Sequence, residues 1–177
     1  MKLVILDRDG VINFDTKQYI TTPAQWKPLP GSLEAIARLT QAGYRVAVAT
    51  NQSGVGRGLF DMASLNAIHA AMNKAVNEAG GRIDAIFYCP HAADTHCTCR
   101  KPAPGMLKEI SERFNTPLKH VPFVGDSLRD LQAAHTAGAL PVLVRTGRGR
   151  QTVEEGGLPA NTQTVDDLAA YVTQLVA

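Results

Sequence analysis

The sequence has no block of like charge. Its 18 Lys and Arg against 16 Asp and Glu leave a formal net charge of +2. Nucleic-acid modules and proteins held on acidic membranes concentrate basic residues, so this balance argues against both kinds of partner. Long apolar runs are missing too. The N-terminal run Leu3–Leu6 is broken by Asp7, too soon for a membrane span or a signal peptide, and a cytoplasmic location is expected. Cysteine is scarce and uneven, with three residues that all fall between Cys89 and Cys99. An odd, clustered set in a reducing compartment points to metal rather than to disulfides. There is no internal repeat, low-complexity tract or interdomain linker, and 177 residues suit one domain with a full core.

What is present is organised around Leu3-Val-Ile-Leu-Asp7-Arg-Asp9-Gly-Val-Ile-Asn13. Its four leading apolar residues, two of them β-branched, fit a strand buried on both faces, as in a parallel sheet. Phe14 to Pro30 carries three prolines and reads as a long loop, whose lone Trp26 suits either a cover over the pocket or, by preference, packing on the sheet edge. Ser32 stands where an N-cap is expected, ahead of a helix with Ile36 and Leu39 and a stop at Gly43. Arg45–Thr50 reads as a second strand, followed by a polar loop from Asn51 to Gly58. The glycines of that loop match neither a dinucleotide fingerprint nor a P-loop. Asp61 can cap a helix with Leu65, Ile68, Met72 and Val76 at helical spacing. Ile83–Tyr88 is a third strand, Pro104 opens a further helix, and Val121–Val124 is a fourth strand. A helix from Ser127 to Ala137 and a fifth strand, Leu140–Val144, follow. Gly147 to Thr162 is expected to be loop and Val165 to Val176 a closing helix. Strands alternating with helices give an α/β fold with a doubly wound parallel sheet and right-handed crossovers.

In such sheets ligands collect at the carboxyl ends of the strands. The first strand delivers Asp7 and Asp9 there, the second Thr50 and Asn51, the loop after the third Arg100 and Lys101, and the fourth Asp126. Taken singly, each has a structural use as turn residue, surface charge or helix cap; together, on one edge, they suit phosphoryl transfer. Two close carboxylates repel unless a cation relieves them, and Mg2+, which commonly accompanies phosphate, is the natural one. Mg2+ held by Asp7, Asp126 and a backbone carbonyl near Asp9 lets the Asp7 oxygen approach phosphorus and form a phosphoaspartate. Asp9 is then the general acid/base, and Thr50 and Lys101 compensate charge on the transferred group. Asp130, one turn beyond Asp126, reads equally as helix cap or metal-site residue.

Cys89-x-His91 and Cys97-x-Cys99 form a second set. Three thiolates and one imidazole make a closed tetrahedral site of the structural-zinc kind, with His96 as a substitute for His91. The expectation is a zinc-binding loop over residues 89–101 that holds Arg100 and Lys101 over the phosphate pocket.

Asp7-x-Asp9-Gly-Val-Ile, Thr50, Lys101 and Gly125-Asp126 resemble, in order, the four motifs of the haloacid dehalogenase-like phosphatases. The resemblance spans essentially the whole chain. It implies a Rossmann-like sheet with the first strand central, Asp7 as nucleophile, Asp9 as acid/base and Asp126 as a Mg2+ ligand. No insertion is long enough for a large cap, so residues 1–177 read as a single phosphatase domain with three loops shaping the pocket. The cysteine loop with Arg100-Lys101-Pro102 is similar to the family of small phosphatases acting on heptose bisphosphate or histidinol phosphate, and Thr50 to Gly54 looks closest to its heptose branch. That likeness implies substrate contacts at Asp15, Thr16, Lys17 and Gln18, at Thr50 to Ser53 (Asn51 and Gln52 included) and at Arg100. It also implies a role in making the nucleotide-activated heptose of lipopolysaccharide. Histidinol phosphate is the alternative substrate; a fused dehydratase domain would favour it, and none follows before Ala177. Ser127 departs from the family, where lysine often follows the metal aspartate. A phosphoaspartate receiver domain gathers similar residues, but its phosphorylated Asp ends strand three, where this chain has Cys89. With no exposed apolar stripe evident, a monomer acting on a small sugar phosphate is expected.

Overall fold

The structure, a computed structural model, describes residues 1–177. Six strands, β1 (Leu3–Leu6), β2 (Arg45–Asn51), β3 (Ala85–Cys89), β4 (Pro122–Gly125), β5 (Leu140–Val144) and β6 (Gln163–Val165), form one sheet in the order β3-β2-β1-β4-β5-β6. Every neighbouring pair is parallel. Helices α1 (Ser32–Gln41), α2 (Ser53–Gly56), α3 (Met62–Glu78), α4 (Gly105–Arg113), α5 (Leu128–Ala137), α6 (Gly149–Glu155) and α7 (Leu168–Leu175) connect and flank the strands.

The alternation of side chains along β1 explains the layering. Val4 and Leu6 join one core with Ile36, Leu39, Ile68, Met72 and Val172, from α1, α3 and α7. Leu3 and Ile5 join a second core on the opposite face with Met106, Leu107, Ile110 and Ala134, from α4 and α5. Each large aliphatic side chain so buried contributes about 1.5–3 kcal/mol, which makes the two cores the main support of the sheet. β1 is buried along its whole length, as its unbroken apolar run requires.

The chain leaves β1 toward β2 on one side and returns to β4 on the other, so the strand order reverses between β1 and β4. That switch point opens a crevice at the carboxyl ends. Asp7 follows β1 directly and Asp126 follows β4 directly.

Several elements differ from expectation. The stretch 147–162 is not all loop, because α6 forms there, and a sixth strand precedes the closing helix. α6 lacks an apolar stripe; buried Thr152 anchors it by donating to the Asp126 carbonyl (2.8 Å). β6 is only three residues long, and Asp167 caps α7 by accepting from Ala170 N (2.7 Å). Ser32 is not the N-cap of α1. Gly31 takes that place at φ +83°, a conformation other residues rarely adopt, and Ser32 Oγ instead donates to the Val11 carbonyl (2.7 Å). The long first loop contains a short 3-10 turn, Pro23–Gln25, and Trp26 is buried in the first core.

Candidate active site

The crevice holds a polar pocket of about 400 Å³. Asp7, Asp9, Thr50, Lys101 and Asp126 all line it, as do Asp15, Thr16, Lys17 and Gln18 from the first loop and Asn51, Gln52, Ser53 and Arg100. Every residue expected at the carboxyl edge therefore faces one cavity.

Lys101 is almost fully buried at its centre. Its ammonium donates to Asp130 Oδ1 (2.7 Å) and the Ala49 carbonyl (2.9 Å) and meets Asp7 Oδ1 (3.0 Å). Burial alone would lower its pKa; Asp130 and Asp7 outweigh that and raise it. Asp130 is the helix cap that one of its sequence readings expects, and it holds Lys101 as well. Its Oδ2 accepts from the amides of Asp126 (3.1 Å) and Ser127 (3.2 Å), capping α5, while its Oδ1 fixes Lys101. Gly125 has no room for a side chain, since a Cβ there would strike the Asp130 carboxylate.

Asp7, Asp126 and Asp130 offer carboxylate oxygens that lie within 4.8 Å of one another, all buried. Lys101 pairs with only two of the three carboxyls, Asp7 and Asp130, and the excess of negative charge appears in their protonation. Burial and the charge of Asp130 push Asp7 well above the usual carboxylate range, and the same two causes push Asp126 up to about 7. A divalent cation is what this cluster lacks electrostatically, and the oxygen-only donors suit Mg2+. The Asp9 side chain is not part of the cluster, but none of the loop hydrogen bonds ends on its backbone carbonyl, which leaves that oxygen free to ligate.

Asp9 is held differently. Its Oδ1 accepts from Arg8 Nε and Asn13 Nδ2 (both 2.9 Å), and its Oδ2 from Gln52 Nε2 (3.3 Å). Burial works to raise its pKa, but Arg8 and these hydrogen bonds outweigh it and hold the carboxyl below its usual value. Gln52 also donates to Thr50 Oγ1 (2.9 Å), so one amide connects two of the expected catalytic side chains.

Gly10, at φ +84°, brings the loop after Asp9 so close to Asp126 that a Cβ would overlap its carboxylate. Thr146 Oγ1 donates to the Gly10 carbonyl (2.6 Å) and Arg148 N to Asp126 Oδ2 (3.0 Å). Arg148 Nε reaches Asp15 (3.0 Å). The β5–α6 loop is thus a fourth wall, which sequence reasoning missed, together with the lining residues Tyr19, Arg57 and Arg129. The available signal was position: Thr146 and Arg148 follow the carboxyl end of β5 just as Asp126 follows β4.

Beside the pocket, Cys89, His91, Cys97 and Cys99 bring three Sγ and one imidazole nitrogen within 4.8 Å of one another. His91 rather than His96 completes the set, through Nδ1 at 3.3 Å from Cys99 Sγ and 3.4 Å from Cys89 Sγ. The loop's end is tied to β2 by two hydrogen bonds, Lys101 N to Asn51 Oδ1 (3.0 Å) and Asn51 Nδ2 to Lys101 O (3.1 Å). Arg100 Nη1, at the pocket wall, is buried without a partner, which suits it to an anion.

A parallel sheet with paired acids after its first strand, a buried lysine and a third acid after the fourth strand defines a class of hydrolase. The chain belongs to the haloacid dehalogenase-like family: the model described as HAD-hydrolase-like matches residues 98–171, and full-length relatives extend the likeness. It is 58% identical, over 99% of this chain and 98% of the relative, to D-glycero-beta-D-manno-heptose-1,7-bisphosphate 7-phosphatase of Bordetella bronchiseptica. The enzyme of the same name from Pseudomonas putida is 54% identical over 99% of this chain and all of the relative. The crystal structure of the B. bronchiseptica D,D-heptose 1,7-bisphosphate phosphatase, complexed with magnesium and phosphate, superposes with a TM-score of 0.98 at 58% identity, covering 99% and 98% of the two chains. No helix is long and apolar enough to cross a membrane.

Proposed function

We propose that this chain is a phosphoric monoester hydrolase that removes the 7-phosphate of D-glycero-β-D-manno-heptose 1,7-bisphosphate, on the way to the nucleotide-activated heptose of lipopolysaccharide. The observation that carries this reading is likeness over the whole chain: relatives of that name are 50–58% identical across 98–99% of its length. The pocket agrees, being polar, open and lined by several cations.

Asp7 is the nucleophile. Its carboxylate oxygen attacks phosphorus, the bond to the leaving sugar oxygen breaks, and Asp9 supplies that oxygen with a proton. Water then attacks the phosphoaspartate, Asp9 takes the water's proton, and the bond to Asp7 breaks to release phosphate. Lys101 and Thr50 compensate charge on the equatorial oxygens. Asp7, Asp126 and the Asp9 carbonyl would hold Mg2+, which when bound neutralises carboxylate and phosphate and makes phosphorus more electrophilic. Arg100, with its unpartnered nitrogen, and the loop Asp15–Gln18 bind the remainder of the substrate, while Asn51 to Ser53 position that wall. Cys89, His91, Cys97 and Cys99 would hold a structural zinc that keeps Arg100 and Lys101 in place. The enzyme works as a cytoplasmic monomer; its large exposed apolar residues, such as Phe14, Leu59 and Leu140, are few and scattered.

Phosphate release measured with and without Mg2+ tests the reading, on both anomers of the heptose bisphosphate and on histidinol phosphate. Preferential turnover of the β-heptose, abolished by chelation, is expected. Preference for histidinol phosphate would keep the mechanism and replace the substrate.

A further inference from the structure

Arg8 lies between the two acids of the first motif yet turns away from the pocket and is fully buried. A guanidinium there is costly, because removing it from water is repaid only by full pairing. Pairing is incomplete: Nε donates to Asp9 Oδ1 (2.9 Å), Nη1 donates to His69 Nε2 (3.1 Å), and Nη2 has no partner. Stability alone is thus a poor reason for its presence. Guanidinium cannot accept a hydrogen bond, so His69 Nε2 must be the bare nitrogen of a neutral ring. Burial and the neighbouring Arg8 charge keep that ring neutral by lowering it to about 4. His69 is buried in the middle of α3 and is not itself part of the pocket lining.

We propose that the buried Arg8–His69 pair positions the Asp9 carboxylate, with α3 serving as the strut against which the guanidinium is braced. Three observations converge on it. Arg8 Nε is one of only three side-chain donors to Asp9. The Arg8 carbonyl accepts from the amides of Val11 (3.3 Å), Ile12 (2.9 Å) and Asn13 (3.3 Å), which fixes the loop that carries Asn13, another of those donors. His69 Nε2 accepts from Nη1, so the guanidinium is held at a second point besides its bond to Asp9. Arg8 and His69 touch no substrate; they act through Asp9, so the inference rests on the acid/base role given to Asp9 above.

Rapid-quench kinetics of p-nitrophenyl phosphate with Mg2+ separate the two half-reactions. The nitrophenolate departs without a proton, so the first turnover needs little from Asp9, whereas hydrolysis of the phosphoaspartate needs Asp9 to take the water's proton. His69→Leu, which removes the acceptor, should leave the first-turnover rate near wild type and lower the steady-state rate by about 10- to 100-fold, the scale of a misplaced catalytic group. His69→Gln, whose amide oxygen can accept from Arg8, should restore most of it. An equal fall in both phases, no fall in either with the protein folded, or no rescue by glutamine would overturn the proposal. Failure of the heptose reading appears separately, as wild-type cleavage of p-nitrophenyl phosphate with none of the heptose bisphosphate. Failure of the acid/base reading appears as Asp9→Asn leaving the steady state untouched.

Discussion

Asp7 and Asp9 are the same amino acid two positions apart, yet their surroundings drive them in opposite directions. Asp7 faces two other acids in a buried cluster and is pushed up; Asp9 is surrounded by donors and is held down. The different roles proposed for the two carboxyls, nucleophile and acid/base, therefore rest on neighbours rather than on residue type. Asp7→Asn should abolish steady-state turnover while the protein stays folded, since the amide cannot form the phosphoaspartate. Asp9→Asn should cost about 10²–10⁴-fold. Near wild-type rates for either, read by phosphate release, would remove that role. At this scale the sequence was informative wherever a residue ends a strand: Asp7, Thr50 and Asp126 could be placed from spacing. The pairing of Arg8 with His69 could not, because the two lie 61 positions apart and nothing local in either segment points to the other.

The cysteine loop shows how an element is shaped by atoms that outline one contact. Gly56 N donates to the Pro90 carbonyl (2.8 Å), and a Cβ on Gly56 would collide with Pro90 and Ala92. α2 and the cysteine loop therefore touch backbone to backbone, which explains Gly56, whereas Gly54 is required by the close rings of Phe60 and Tyr19. Arg100 follows the last cysteine of that loop directly and lines the pocket. Cys97→Ser should release zinc, measured as metal per chain, and loosen Arg100. Loss of one charged hydrogen bond costs about 1.5–3 kcal/mol, so KM should rise roughly tenfold or more, with a smaller change in kcat. Full retention of zinc would reject Cys97 as a ligand. The same scale shows where pattern reading fails. α1, α3 and α4 have apolar stripes and were legible. α6 is secured by the polar contact between Thr152 and Asp126, and β6 is too short to show alternation, so neither leaves a periodic trace.

The whole molecule links the two scales through His69, which the sheet's first core and the active-site strut share. Its folded pKa of about 4 lies below the ordinary 6.5. Between those values the unfolded chain takes up a proton that the folded protein refuses. The contribution of a neutral His69 is therefore fully present above about pH 6.5 and is lost as the pH falls toward 4. A gap of about 2.5 units, at about 1.4 kcal/mol each, sets its size on the order of 3 kcal/mol. Asp7 and Asp126, raised in the fold, act in the opposite sense over the acidic range, so the wild-type curve alone mixes signs. Subtraction separates them: glutamine does not titrate, and the stability of His69→Gln relative to wild type should improve by that amount between neutral pH and about pH 4. Urea unfolding midpoints across this range measure it. Curves that stay parallel would mean that His69 titrates normally in the folded protein, and the neutral acceptor on which Arg8 is braced would go with it.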